Sequence, residues 1–172
     1  MGFDIDGRKP TSKAGTNFRN TVWYWHPLWD YCDVVAPRLT RKVKHGHTND
    51  GDGLNAKDAS ALAAALENEL KAGRTKKYAT VYMARLAVMP RETCILCRGT
   101  GIRTDAIGQS MGQATKKLAP REAAKLGRKV GTCNGCAGVG DKEAWDAGYP
   151  FTVKNVRDFA AFLRDCGGFN IN

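Results

Sequence analysis

The sequence predicts an α+β fold, a compact and mainly helical domain with a small terminal sheet and a cysteine-stapled subdomain. Three observations predict it. Apolar residues recur at helical spacing in two well-marked stretches, Ala59 to Leu70 and Val153 to Leu163. Short β-prone runs, Phe3-Asp4-Ile5 and Phe169-Asn170-Ile171, stand near the two ends, where they can pair as neighbouring strands. One eight-residue pattern of cysteine and glycine occurs twice, at Cys94 to Gly101 and at Cys133 to Gly140. With 172 residues, 42% hydrophobic and 26% charged, the chain can bury a core as a single domain over 1–172, with 91–141 as a subdomain.

After the first strand comes a cluster of large side chains: Val22, Trp23, Tyr24, Trp25, His26, Pro27, Leu28, Trp29 and Tyr31. Aromatic and β-branched residues dominate the part before Pro27, which predicts a strand there. Pro27 then fits the first turn of a short helix running to about Val35. Trp23, Trp25 and Trp29 read first as core, with an exposed platform for stacking bases or anchoring a protein as the functional alternative. Trp145 stands apart from them in the chain.

The stretch Lys44 to Asn55, K-H-G-H-T-N-D-G-D-G-L-N, reads as a loop that enters the next helix. A calcium loop fails here, because aligning Gly53 with the sixth position puts Thr48 and Ala59 where Asp and Glu are required. A transition-metal site at His45 and His47, completed by Asp50 or Asp52, is the alternative, and a cation-dependent nuclease would have to use this same loop.

Asn55 can cap the helix that follows, with Asp58 in its first turn, a stripe of Ala59, Leu62, Ala63, Leu66 and Leu70, and Gly73 as its stop. A second helix, from about Lys76 to Met89, presents Tyr78, Val81, Tyr82, Leu86 and Met89 before Pro90 ends it. The short connection makes an antiparallel hairpin whose outer face carries Lys76, Lys77 and Arg85. Thr152 can cap the last helix, with Phe151 stapling against Val156 and a stripe of Val153, Val156, Phe159, Ala160 and Leu163 before Gly167-Gly168. Cys32 and Cys166 have no nearby partner in the chain and read as buried thiols.

The two cysteine units, C-I-L-C-R-G-T-G and C-N-G-C-A-G-V-G, share the pattern C-x-x-C-x-G-x-G. Each pair can place two sulfurs on one side of a tight turn, so Cys94, Cys97, Cys133 and Cys136 supply the four thiolates of one tetrahedral, structural Zn²⁺ site. Gly99, Gly101, Gly138 and Gly140 can take the positive φ that turns backbone amides toward the sulfurs. A redox dithiol would carry one such pair beside a βαβ unit, for which there is no sign. The opening, Met1 to Asp6, lacks the basic stretch and apolar core of a signal peptide, and Asp6 sits where a myristoylation signal needs Ser or Thr. A cytoplasmic protein is therefore expected, and reduced thiols favour metal over disulfide.

The net charge of +10 is unevenly placed. Between Lys71 and Val130 stand 14 Lys and Arg against Glu92, Asp105 and Glu122, so this stretch holds all of the excess. Four thiolates around one Zn²⁺ lower the working total to about +8. Nucleic acid, DNA or RNA, or an acidic host protein is the natural partner, and local charge balance around a metal–thiolate centre is the bland alternative. The 35 residues from Arg98 to Thr132 separate the two cysteine pairs and end in an expected helix started by Pro120. As a contact surface, this insert and the hairpin before it offer Lys76, Lys77, Arg85, Arg98, Arg103, Lys116, Lys117, Arg121, Lys125, Arg128 and Lys129.

The repeated C-x-x-C-x-G-x-G pattern resembles half of the cysteine-rich domain of DnaJ-class chaperones, in which each zinc is held by two such units. Only the four cysteines and four glycines carry over. The chain lacks a His-Pro-Asp signature, the nearest match being His26-Pro27-Leu28, and a Gly/Phe-rich linker, so chaperone partnership is not implied. From M-G-F-D-I-D-G-R-K-P through N-F-R-N-T-V-W-Y-W-H-P-L-W-D-Y-C to the end, the chain is similar to small proteins of bacteriophages and prophages. That resemblance implies an origin and no activity.

Catalysis is not expected. Four sulfur ligands leave zinc no open position, and the signatures of deaminases, P-loop NTPases, serine hydrolases and zinc proteases do not occur. No apolar run approaches the ~20 residues that span a bilayer. The sequence therefore predicts a zinc-binding phage or prophage accessory protein that holds nucleic acid through a basic surface. The alternative is a protein inhibitor or adaptor acting on host nucleic-acid machinery or a defence system.

Overall fold

A computed structural model describes residues 2–113, 121, 125 and 133–172. The chain divides into two compact units, residues 1–87 with 149–172, and residues 88–148.

The larger unit contains, in chain order, β1 (Gly2–Gly7), β2 (Asn17–Thr21), α1 (Val22–Val35), α2 (Pro37–Thr40), α3 (Ala56–Lys71) and α4 (Arg74–Ala87). The smaller unit follows with β3 (Glu92–Thr93), α5 (Ala106–Ser110), β4 (Asp141–Lys142) and a 3-10 turn at Trp145–Gly148. The chain then returns to the larger unit as α6 (Val153–Asp165) and β5 (Phe169–Ile171).

In the larger unit a three-stranded antiparallel sheet has the order β2-β1-β5. Ile5 lies opposite Phe18 on one side and Ile171 on the other, so the two ends of the chain meet in one sheet. Strand alternation sends Phe3 and Ile5 into the core and leaves Asp4 and Asp6 on the other face. Ala59, Leu62, Ala63 and Leu66 of α3 join Val156, Phe159, Ala160, Phe162 and Leu163 of α6 in that core. Asn55 caps α3 by accepting the Asp58 amide, and Thr152 caps α6 by accepting the Asn155 amide. Asp58, itself buried, receives Lys42 Nζ on both carboxylate oxygens at 2.8 Å. That bond, helped by Asn55 and opposed by burial, holds its carboxyl below the usual range.

The aromatic cluster departs from the sequence expectation. Residues 22–26 are helical, and Pro27 sits inside α1 rather than in its first turn. The strand ends one residue earlier, at Thr21. Local composition favoured a strand, but the core decides between the two. Trp25, Leu28, Trp29 and Cys32 fall at i, i+3, i+4 and i+7, so only a helix buries all four on one face, and the gain from two tryptophans outweighs the hydrogen bond a proline removes. Trp25 and Trp29 stack at 5.5 Å, and the Trp25 indole donates to the Gly46 carbonyl at 2.8 Å. Trp23 is one-third exposed beside Tyr149. Cys32 and Cys166 are fully buried, and burial pushes both thiols up.

In α4 the inward face is Thr75, Tyr78, Ala79, Tyr82 and Leu86, while Val81 is 64% exposed. The helix begins at Arg74, two residues earlier than the apolar pattern implies, because Arg74 pairs with Glu69 of α3 across the turn. It also ends at Ala87, leaving Met89 beyond it. No helix among the described residues is long and apolar enough to cross a membrane.

Candidate metal centre

In the smaller unit β3 and β4 form a two-stranded antiparallel ribbon, with Glu92 opposite Lys142 and Thr93 opposite Asp141. β3 leads directly into Cys94, and β4 leaves directly from Gly140. The ribbon therefore brings the start of one C-x-x-C-x-G-x-G unit to the end of the other. Arg91 clamps it by donating to the Asp141 carboxylate at 2.6 Å.

Each unit folds into the same knuckle. Gly99, Gly101, Gly138 and Gly140 all have positive φ, as the spacing predicts. The residue after each second cysteine is also left-handed, Arg98 at φ 51° and Ala137 at φ 50°, which the sequence pattern does not announce. These turns aim the Gly101 amide at Cys97 Sγ and the Gly140 amide at Cys136 Sγ, each at 3.2 Å. The knuckles then close on one another reciprocally. The Cys94 amide donates to the Gly140 carbonyl and the Cys133 amide to the Gly101 carbonyl, each at 2.9 Å. The repeat in the sequence has become a local pseudo-twofold pair.

All four sulfurs are buried and unbonded to one another. Cys94 and Cys133 Sγ stand 3.9 Å apart, and Cys97 and Cys136 Sγ 3.7 Å apart. A tetrahedral ion with metal–sulfur bonds of about 2.3 Å requires sulfur–sulfur edges of about 3.8 Å. A disulfide requires about 2.05 Å. The spacing, the burial and the amide hydrogens aimed at sulfur thus fit a metal ion held by four thiolates. Burial works to raise the Cys94 thiol, yet the amides of Cys97 and Leu96 bring it down to about 7. Burial and the three neighbouring sulfurs push Cys133 up to about 12.

Arg103 differs from the surface role its charge implies. It is only 7% exposed, and its guanidinium donates to both Asp105 carboxylate oxygens, at 2.7 and 2.9 Å, and to Asn134 Oδ1 at 3.0 Å. It ties the exit of the first knuckle to the second and sets a buried positive charge near Cys133 and Cys94. Asp105 also caps α5 by accepting the Gly108 amide. The other candidate contact residues are placed as follows. Lys76, Lys77, Arg85, Arg98, Arg121 and Lys125 are exposed. Arg85 lies over the Tyr82 ring. Lys116, Lys117, Arg128 and Lys129 fall outside the described residues.

His45, His47, Asp50 and Asp52 do not converge. The Asp52 carboxylate accepts the backbone amides of His45 and Gly53, so it closes its own turn. His45 faces Asp50 at 3.5 Å, whereas His47 turns to Asp30 of α1 at 3.2 Å. With Asp33, these last two form an exposed group whose ligand atoms lie within 4.8 Å. The sequence signal for that group is the i, i+3 spacing of Asp30 and Asp33, legible only once residues 30–33 are known to be helical. Comparison of the chain with protein-family models, curated proteins and solved structures yields no match.

Proposed function

We propose that this chain is a non-catalytic, zinc-stapled protein that binds nucleic acid through exposed lysine and arginine side chains. Zinc suits four thiolates in a tetrahedron, and a closed four-sulfur shell leaves no position for substrate or water, so the ion's role is structural. Six free cysteines fit a reducing compartment such as the cytoplasm. An accessory role in a phage or prophage is the setting that the sequence resemblance supports.

One observation carries the nucleic-acid reading. Among the described residues, Lys76, Lys77 and Arg98 are exposed and make no ion pair, while Asp105 in the same basic stretch is already taken by Arg103. Cations left without carboxylates are available to phosphates, whose neutralisation releases counterions and gives affinity without chemistry.

The test is a titration of the zinc-loaded protein against labelled single- and double-stranded DNA and RNA over a range of salt. Log affinity should fall linearly with log salt, and Lys76→Gln with Lys77→Gln should flatten that slope by about 0.7–0.9 for each phosphate no longer neutralised. Absence of binding to all four probes at low salt would overturn the reading.

A further inference from the structure

The two knuckles share a backbone but not a surface. Between its cysteines the first carries Ile95 and Leu96, and the second carries Asn134 and Gly135. Neither tip is needed to form the sulfur shell, whose bonds come from backbone amides and the cysteines themselves. Ile95 is nonetheless 77% exposed and Leu96 39% exposed. Leu96 is seated over Gly135, where an added Cβ would stand 2.7 Å from its Cδ1. The position after the second cysteine repeats the contrast. Both residues there are left-handed, but the second knuckle uses small Ala137 and the first uses Arg98, a long cation in a conformation that favours glycine.

These side chains border a groove of about 650 Å³, lined by Ile95, Leu96 and Ile102 together with Arg98. Two of the groove's other polar side chains, Thr100 and Asp105, are occupied within the protein. The Thr100 hydroxyl lies 2.7 Å from the Cys97 carbonyl and 2.9 Å from that of Ile102, and the Asp105 carboxylate holds Arg103 and the Gly108 amide. What the groove chiefly offers a ligand is aliphatic wall and one cation, since Arg98 makes no ion pair among the described residues. A nucleobase stacks best on an aromatic face, and the lining offers none. A second copy would bring its own Arg98 and its own excess of cations.

We propose that this groove docks a partner protein through an acidic segment, with aliphatic side chains against Ile95, Leu96 and Ile102 and a carboxylate on Arg98. Exposed apolar surface beside an unpaired charge is the pattern of a protein contact site. The surface shares only Arg98 with the nucleic-acid reading: its apolar wall uses groups that phosphates do not, and Lys76 and Lys77 lie outside it.

The test measures anisotropy of three labelled octapeptides against the full-length zinc-loaded chain: alternating Glu and Leu, all Glu, and alternating Lys and Leu. Labelled oligo(dT) is run in parallel. The Glu/Leu peptide should bind in preference to the other two. Ile95→Asn copies the side chain the second knuckle carries at the equivalent place, so the tip tolerates it, and zinc content verifies the fold. It should weaken the Glu/Leu peptide about tenfold and leave oligo(dT) binding unchanged. Arg98→Ala should weaken the peptide and reduce its salt dependence. Equal binding of the all-Glu peptide, unchanged peptide binding by Ile95→Asn, or loss of oligo(dT) in place of the peptide would each overturn the proposal, as would no peptide binding at all.

Discussion

Replacing Gly140 by alanine tests the reciprocal closure of the knuckles at one atom. Gly140 lies at φ 98°, where an L side chain costs about 1–3 kcal/mol. A Cβ there would stand 2.4 Å from the Gly99 carbonyl oxygen, a backbone atom with no rotamer to yield. The chain must therefore shift at the residue that donates to Cys136 Sγ and accepts from the Cys94 amide. Weakening both bonds adds about 1 kcal/mol each. The total is about 3–5 kcal/mol, or a fall in zinc affinity of about two to three and a half orders of magnitude at about 1.4 kcal/mol per tenfold. Gly99→Ala is the matched control. Its φ is also positive, at 84°, but the nearest atom to its Cβ is Thr93 Cγ2 at an ordinary 3.5 Å, so only the conformational cost of about 1–2 kcal/mol applies. Competition for zinc against a chromophoric chelator measures both variants. Equal losses would refute the reasoning, since strain at positive φ would then account for everything and the cross-knuckle approach for nothing.

Removing zinc by chelation should raise amide exchange across 94–101 and 133–140 while α3 and α6, whose core is built without the cysteines, keep their protection; uniform loss along the chain would contradict this. Zinc affinity should fall with falling pH. The Cys133 thiol, at about 12, keeps its proton at neutral pH and must release it on binding, which contributes about tenfold per pH unit, and below about 7 Cys94 contributes another proton. Calorimetry in buffers of different ionisation enthalpy counts those protons, and a pH-independent affinity would refute the assignment. Asn55→Ala removes the acceptor for the Asp58 amide and should cost about 1 kcal/mol, read as a thermal midpoint lowered by about 2–4 °C. Asp58 stabilises the fold above the ordinary carboxylate range and loses that contribution as pH falls through its depressed value. Lys42→Met should therefore reduce stability at neutral pH and flatten this part of the acid transition in urea titrations.

What could be read from the sequence follows the range of the interactions involved. α3 and α6 were legible because their signals are local, a cap and a stripe within a few residues. The knuckles were legible for the same reason, since each spacing is short and occurs twice. α1 was not, because local β-propensity and the proline pointed one way and the distant core the other, with Trp25, Leu28, Trp29 and Cys32 seated among residues of α3, α6 and the sheet. Arg103 looked like surface because its letter is that of a surface cation. Its partner Asp105 lies two residues on, but the burial that makes the pair structural also depends on Asn134, which arrives from the far side of the insert. His47 meets Asp30 only because α1 carries that carboxylate to it, a contact its own sequence neighbours do not announce.

The reciprocal bonds also explain how a long insert can divide a compact metal site. The Cys133 amide meets the Gly101 carbonyl, so the chain leaves the first knuckle and enters the second at one point, and Arg103 with Asn134 repeats the closure just outside it. Gln113 extends it by accepting the Asn134 amide. Once the ends of a segment are held together, doubling its length costs only about 0.6 kcal/mol. The sulfur shell therefore places almost no demand on the length of what lies between Arg103 and Cys133. A stretch free of that demand is instead dense in lysine and arginine, with Lys116, Lys117, Arg121, Lys125, Arg128 and Lys129 against Asp105 and Glu122, and Asp105 is already paired. Among the described residues of the insert, Arg103 is the cation that ties the two knuckles together. The surplus of positive charge in this stretch of sequence adds to Lys76, Lys77 and Arg98 in attracting a polyanion.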